Sequence, residues 1–478
     1  MSRINTNISS IQSIHRLIAN QQDLATRLER LSTGLRINRG KDDPAGLIAS
    51  ESLRSELVGI NQAIENSSRA INVLSVADAA LNEVSALLLE VRGLVNASAN
   101  EGPLSPTEIQ ANQLQVDSLL ESIDRIANTT QFNGEKLLNG NLAYLLSGVT
   151  TSQVAVTTIY GARVPAGAAM NITVQVTDSA ETGQLTYVGA GLSAGNNLTI
   201  EVTGLLGTEQ FSFAASAHVS AMAAAINSFS ELTGVSAIVD ANQSAMTFTT
   251  MTYGSDAFVR VSTLQSGGDF VLYDSDMAQA TQDFGVDAGV LINGQTANVD
   301  GLIARTRNNG LDVDLHLAEG FGTRLGTSTF NITGGGALFQ IGPDVVSSGQ
   351  LSVGIPSAST GNLGNFEIGY LSELRSSGDA SLVGGNYTRA EQIVKEAIEQ
   401  VSVLRGRLGG VQANQLETNM KSQQVAYENV KASESAIRDT DYASEVAALT
   451  RAQVLVQSTT TVLSIANQLP QNVLALLG

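Results

Sequence analysis

The stretch STGLRINRGKDDPAG, residues 32 to 46, is the densest collection in the chain of groups that could do chemistry. It carries the cations Arg36, Arg39 and Lys41, the carboxylates of Asp42 and Asp43, and glycines at 34, 40 and 46. A glycine, a gap and then Gly40-Lys41 outline a phosphate loop, where backbone N–H groups cradle phosphates, lysine reaches an outer oxygen and the next hydroxyl ligates magnesium. The spacing fails. Such a loop needs four residues between its glycines, whereas five separate Gly34 from Gly40, and Leu35 holds the position a glycine would need. Its Cβ resists the positive φ that glycine permits, and Asp42 stands where the hydroxyl belongs. The preceding LATRLERLSTGLR reads as helix rather than strand. A polar hinge between two helices is the better reading.

Other chemistries find little to work with. The chain has no cysteine, which removes disulfides, thiolate catalysis and cysteine-based zinc sites. His15, His218 and His316 lie far apart and no H-E-x-x-H occurs, so the commonest general base and metal ligand is scarce. Carboxylate chemistry alone stays open to an enzyme. Asp312 and Asp314 alternate in LDVDLHL, which places both on one strand face, read as the solvated one. No catalytic residue, metal or cofactor is therefore expected. A net charge of −19 and a pI near 4.5 lack the basic footprint of a nucleic-acid surface. The N-terminus shows no secretory signal, and no apolar run of about 18 residues marks a membrane insertion; by that test alone the chain would stay in the cytoplasm.

Glycine and charge divide the elements that must position these groups. Residues 1–140 hold 8 of the 45 glycines and residues 386–478 hold 4, leaving 33 in the middle. The middle also carries 20 acidic against 6 basic residues, while the ends have 16 against 12 and 9 against 8. Few glycines favour long helices, and the Gly-, Thr- and Val-rich middle favours strands and turns. The expected fold is an α+β multidomain chain. Long terminal helices form a coiled coil or helical bundle around an inserted, mainly-β outer domain.

The ends carry heptads. Ile4, Ile8, Ile11, Ile18, Leu24, Leu28, Leu31 and Leu35 follow a 3–4 spacing, with His15 and Gln21 in two seam positions. The pattern restarts through Leu53, Leu57, Ile60, Ile64, Ile71, Leu74, Leu81, Leu88 and Val91, interrupted by Ser67 and Asp78. A third stripe runs from Ala390 to Val411. The last holds Leu449, Ala452, Val456, Leu463, Ala466, Val473 and Leu477, with Thr459 and Pro470 in frame. Stripes within 53–140 and 386–436 read as an ordinary intramolecular bundle. Those at the extreme ends are interleaved with Ser, Thr, Asn and Gln. Burying each Leu or Ile contributes about 1.5–3 kcal/mol, so they point to self-association. Asp43 with Pro44 predicts one helix start, and Ser105, Pro106 and Glu108 predict a capping box opening a helix over 107–128. In the middle, MNITVQVTD, NLTIEVTG, EQFSFAAS, AMTFTTMTY, FVRVST and DVDLHL read as strands, with one helical insert, AHVSAMAAAINSFSELTGVSAIV.

Six segments carry a resemblance to a known family: LSTGLRINRGKDDPAG, AINVLSVADAALNEVSALLLEVRGLVNASAN, SIDRIANTTQFNGEKLLNG, RGRLGGVQANQLE, ASESAIRDTDYASEVAALTRAQVL and ANQLPQNVLALLG. Over about 1–140 and 386–478 the chain resembles bacterial flagellin. The resemblance implies a non-enzymatic filament subunit, a homo-oligomer exported unfolded through the type III apparatus with a chaperone, without a cleavable signal peptide. It implies contact with hook-associated junction and cap proteins, and an extracellular location. It also implies a partition. Residues 1–42 form the N-terminal core helix and spoke, 43–141 the inner helical domain, 142–336 the inserted outer domain, 337–438 the inner hairpin and C-terminal helix, and 439–478 the C-terminal core helix. The boundary at 337 rests on ALFQIGPDVVSSGQLSVGIPSASTGNLG, similar to a flagellin hairpin segment. Arg36, Arg39, Lys41, Asp42 and Asp43 fall on the spoke, where cations are expected to meet carboxylates of neighbouring subunits. LEVRGLVNASAN resembles a region sensed by an innate receptor; Arg92 and Leu94 are kept, while Glu90 and Gln115 depart from the pattern, implying weak activation. A filament-displayed adhesin and a hook–filament junction protein are the alternatives.

Overall fold

The computed structural model describes residues 6–100, 102, 104–164, 168–192, 197–265, 270–308, 310–366 and 368–477. Helices occupy both ends: α1 (Ile8–Thr33), α2 (Pro44–Ser98), α3 (Pro106–Thr129), α7 (Tyr387–Gly410), α8 (Thr418–Arg438) and α9 (Tyr442–Leu477). Between them lie the strands and the short helices α4 (Val219–Asn227), α5 (Ser230–Thr233) and α6 (Glu319–Gly322). The expected α+β class, with long terminal helices around a mainly-β insertion, is the observed one. Two compact units result, one of Met1–Arg69, Gln340–Gly349 and Leu416–Gly478, the other of Ala70–Phe339 and Gln350–Gln415.

Local signals act where the sequence places them. The Asp43 side chain accepts the Gly46 N–H (2.9 Å) at the start of α2. Ser105 and Glu108 close a reciprocal capping box on α3 with Pro106 at the first helical position. Gly34 ends α1 in the left-handed region, φ 72°, and its N–H reaches the Arg30 carbonyl (2.9 Å).

α2 shows what its heptads bury. Leu57, Ile60, Ala63, Ser67, Ala70, Leu74, Ala77, Leu81, Val84, Leu88, Val91, Val95 and Ser98 are all buried, an unbroken 3–4 stripe. Ser67 does not interrupt it: its hydroxyl donates to the Ala63 carbonyl (2.8 Å) and so enters the stripe satisfied. Asp78 lies one position off and pairs with Arg405 of α7 (2.9 Å), as Arg92 pairs with Glu391 (3.1 Å). Although no long continuous apolar run occurs in it, α2 is long and apolar enough on average to cross a membrane by length and composition. Its buried stripe and its ion pairs with α7 give that helix a folded partner instead. α7 buries Ala390, Ile393, Val394, Ala397, Val401, Leu404 and Leu408, then loosens into a π-helical segment, Val411–Glu417, before α8.

The insertion has two cores. One gathers Ile172, Val174, Val176, Val290, Ile292, Val313, Leu315, Phe330 and Ile332 from sheets that use the strands Tyr144–Ser147, Val154–Ala162, Met170–Asp178 and those after Gly289. The second, holding Leu185, Leu198, Ile200, Val202, Met222, Ile226, Met246, Phe248 and Val259, lies wholly within the elements from Gln184 to Phe284, a module nested inside the first. Each expected strand is present. The single helical insert is not: α4 ends at Asn227, α5 is one turn, and Val235–Val239 is a strand. Phe229 and Gly234 break the helix, and β-branched Val235, Ile238 and Val239 complete a sheet beside Ala245–Thr250.

Candidate assembly surfaces

α1 and α9 pack along their lengths, and polar groups hold them together. Asn7 Nδ2 donates to the Ala466 carbonyl (2.7 Å), Ser10 Oγ to Asn467 Oδ1 (2.7 Å) and Asn20 Nδ2 to Thr459 Oγ1 (2.8 Å). Arg27 reaches both carboxylate oxygens of Glu445 at 3.2 Å, and Glu445 is buried. These α1 residues recur at 7, 10, 13, 17, 20, 24, 27 and 31, with Ser13 buried and Leu17, Leu24 and Leu31 half-buried. The matching face of α9 is Glu445, Leu449, Ala452, Val456, Thr459, Leu463 and Ala466. Leu449, Val456 and Leu463 of the expected seam therefore face α1.

Most of the α1 stripe does not face α9. Ile8 is 55% exposed, Ile11 49%, Ile18 47% and Leu28 50%, and Ile14, which the periodicity did not single out, is exposed with them. Leu24, Leu31 and Leu35 are half-buried. α9 likewise leaves Val446, Val454, Leu455, Val462 and Ile465 in water. Ile4 lies outside the described residues, as do the side chains of Val473 and Leu477. The terminal pair thus mixes polar groups with half-buried Leu17, Leu24, Leu31, Leu449, Val456 and Leu463 on its internal face and leaves other apolar side chains exposed.

The hinge that opened the sequence is built from hydrogen bonds within the chain. The Arg36 N–H donates to the Arg438 carbonyl (2.7 Å) and its guanidinium to the Ile437 carbonyl (2.6 Å), at the C-terminal end of α8. Arg39 pairs with Glu29 of α1 (2.8 Å). Asp42 accepts the backbone N–H groups of Arg39 (2.9 Å) and Asn38 (3.3 Å), the first of which chiefly holds its carboxyl below the usual range. Ile37 between them is buried. Lys41 is exposed and makes no ion pair among the described residues. All three cations are exposed, but Arg36 and Arg39 are tied to groups of the chain itself.

The carboxylates of LDVDLHL depart most from their reading. Asp312 and Asp314 are not a solvated face. Arg407 of α7 donates to Asp312 (2.7 Å) and to Asp314 (3.1 Å), and its guanidinium lies 3.5 Å over the Tyr160 ring. Arg407 is only 15% exposed. Tyr160 is pushed up to about 12, first by burial and then by Asp314. Arg407 is thus the side chain that joins α7 to the strands Val154–Ala162 and Leu311–Leu317. Sequence periodicity could not find it, because its partners lie 93 and 95 residues away. A groove of about 710 Å³ beside it, lined in part by Tyr160, Arg307, Ser352 and Asn414, holds no histidine to serve as a base.

Arg92 and Leu94, expected at a receptor-sensed region, lie on α2, with Arg92 paired to Glu391 and Leu94 half-buried. Glu90 and Gln115 are exposed on α2 and α3.

Comparisons with known proteins agree on the ends of the chain. The bacterial flagellin N-terminal helical region matches residues 4–143, and the bacterial flagellin C-terminal helical region matches residues 392–477. The chain is similar to Flagellin A of Helicobacter pylori, 27% identical over 526 residues that cover 99% of each protein. It is 28% identical over 526 residues to a flagellin of Salmonella typhimurium, again covering 99% of each. With a Bacillus subtilis flagellin the identity is 38% over 168 residues, 32% of this chain and 55% of that one.

Proposed function

We propose, from the premise that the chain belongs to the bacterial flagellin family and is a structural subunit of the flagellar filament, that copies join through the terminal helices α1 and α9. The supporting observation is the row Ile8, Ile11, Ile14, Ile18 and Leu28, exposed although α1 already has a partner. A second copy is what would bury it, and a heterologous contact that does not close generates an open helical filament. Ile4, Val473 and Leu477 extend the same seam in this reading. Changing Ile11→Ser and Ile18→Ser tests it. The variant should keep its helical circular dichroism and lose sedimentable filaments; filaments at the unaltered yield would overturn the seam.

The partition follows the family. Residues 1–42 and 439–478 are the core helices, 43–141 and 337–438 the inner domain, and 142–336 the outer domain. Export unfolded through the type III apparatus with a chaperone, without a cleavable signal, and contact with hook-associated and cap proteins belong to this reading, as does the extracellular location. Arg36 and Arg39 brace the spoke from within, which leaves Lys41 to reach a neighbouring subunit. Around Arg92 and Leu94, the acidic Glu90 and the neutral Gln115 support weak innate-receptor activation, since a lost cation or carboxylate removes a charge-assisted pair. Similarity along the full length to filament flagellins favours this role over a junction protein or a dedicated adhesin.

A further inference from the structure

The nested module between Gln184 and Phe284 carries apolar surface that its core does not use. A turn over 204–207 joins two of its strands, closed by the Gly204 N–H on the Gly207 carbonyl (3.0 Å). The Leu206 N–H donates to the Thr233 carbonyl at the end of α5 (3.4 Å). Gly234 follows in the left-handed region, φ 75°, where a Cβ would stand 3.3 Å from Leu206, and its carbonyl accepts the Met251 N–H (2.9 Å). These links bring Leu206, the end of α5 and Met251 together around Gly234, with Leu205 and Phe229 adjoining them in the turn and at the start of α5. Leu205, Leu206, Phe229, Leu232 and Met251 are all exposed, from 41% to 54%. Contiguous apolar surface on a soluble module marks an interaction site more often than scattered exposed residues do.

Charge selects the occupant. Glu231 is exposed beside Leu232 on α5. Glu209 lies two residues before Phe211 on the adjoining strand, and the Phe211 ring meets Phe229 edge-on at 5.7 Å. From 184 to 284 the sequence has nine Asp or Glu against one arginine, Arg260, which stands opposite Thr203 in register. A second copy of the module would bring the same carboxylates, and an anionic bilayer would repel them. We propose that this acid-rimmed apolar surface docks a cationic amphipathic segment of another protein. Its apolar side chains would seat on Leu206, Leu232 and Met251, with Lys or Arg meeting Glu209 and Glu231. This goes beyond the filament role and does not depend on the terminal seam.

Titrating the full-length chain with a labelled helical peptide of one Leu face and one Lys face, and with its Leu/Glu counterpart, tests the surface. The Lys peptide should bind and the Glu peptide should not. Leu206→Ser with Leu232→Ser should weaken binding at least about tenfold, because two apolar anchors are lost from the contact, with an unchanged melting curve. Glu209→Gln with Glu231→Gln should weaken it by about threefold and flatten its salt dependence. Equal affinity in both variants would overturn the proposal. So would equal binding of the two peptides, or binding to anionic vesicles or self-association that the serine variant abolishes.

Discussion

α1 and α2 carry apolar stripes of the same period with opposite fates. Along α2 the stripe from Leu57 to Ser98 is buried, with Ile64 and Ile71 of the expected seam half-buried at its edge. On α1, by contrast, Ile8, Ile11, Ile18 and Leu28 are exposed, and Leu17, Leu24 and Leu31 meet α9 together with polar residues. A 3–4 repeat states that a face exists; it does not state what covers it. The interior of α2 is satisfied by one chain. Asn7, Ser10, Asn20 and Arg27 give α1 a specific partner through hydrogen bonds, while Ile8, Ile11, Ile14, Ile18 and Leu28 stay exposed.

The sharpest test of that contrast is Leu81→Ala in the α2 stripe. Leu81 is fully buried, so removing its side chain should cost about 2–5 kcal/mol and lower the melting temperature by several degrees. An unchanged melt would mean that the α2 stripe, like the exposed row on α1, is not held by the folded chain.

A second contrast concerns two ion pairs on α7. Arg407 is nearly buried between Asp312, Asp314 and Tyr160, while Arg405 meets Asp78 in partial contact with water. Arg407→Ala leaves Asp312 and Asp314 to their more exposed partners Arg307 (3.2 Å) and Arg305 (4.0 Å) and should cost about 2 kcal/mol, below the 3–5 kcal/mol of a fully buried break. Arg405→Ala should cost at most about 1 kcal/mol. Chemical denaturation of the two variants checks the ranking, and equal losses would remove Arg407 from its role as the joint between α7 and the strands.

Much of this architecture was legible. Strands such as Met170–Asp178 and Leu311–Leu317 announce themselves by alternation, and the caps at Asp43 and Ser105 by residue type. What stayed hidden depends on partners remote in sequence. Asp312 and Asp314 look like a wet face until α7 brings Arg407 to them. The nesting of one β module inside another leaves no local mark, since each strand reads alike whichever core it joins. On α1 the period was plain, but the face turned toward α9 is chosen by hydrogen bonds that an apolar count ignores.

The acid limb of stability sharpens the picture of the same α7-facing sheet. His316, on the strand with Asp312 and Asp314, has its pKa lowered from 6.5, first by burial, with Arg305 adding to the effect and Asp314 opposing it. A folded-state pKa below the unfolded one means the native state binds fewer protons. Its contribution is present above about pH 6.5 and is lost as pH falls through the folded value. Melting of the full chain should therefore weaken as pH falls below about 6.5, and His316→Gln should flatten that slope. Equal slopes would show that other groups carry the acid limb.

The smallest effect on folding is expected where the effect on assembly is largest. Ile18→Ser alone removes a side chain that is already about half in water, so little apolar area is lost from the folded monomer. Its melting curve should move by no more than about 0.5 kcal/mol, the range of surface substitutions. In a filament each copy repeats the loss, because every subunit presents the same face to a neighbour. The critical concentration for assembly should rise well before the monomer loses any stability. If Ile18→Ser instead destabilised the monomer as Leu81→Ala does, α1 would be buried within the chain, and the difference between the two stripes would vanish.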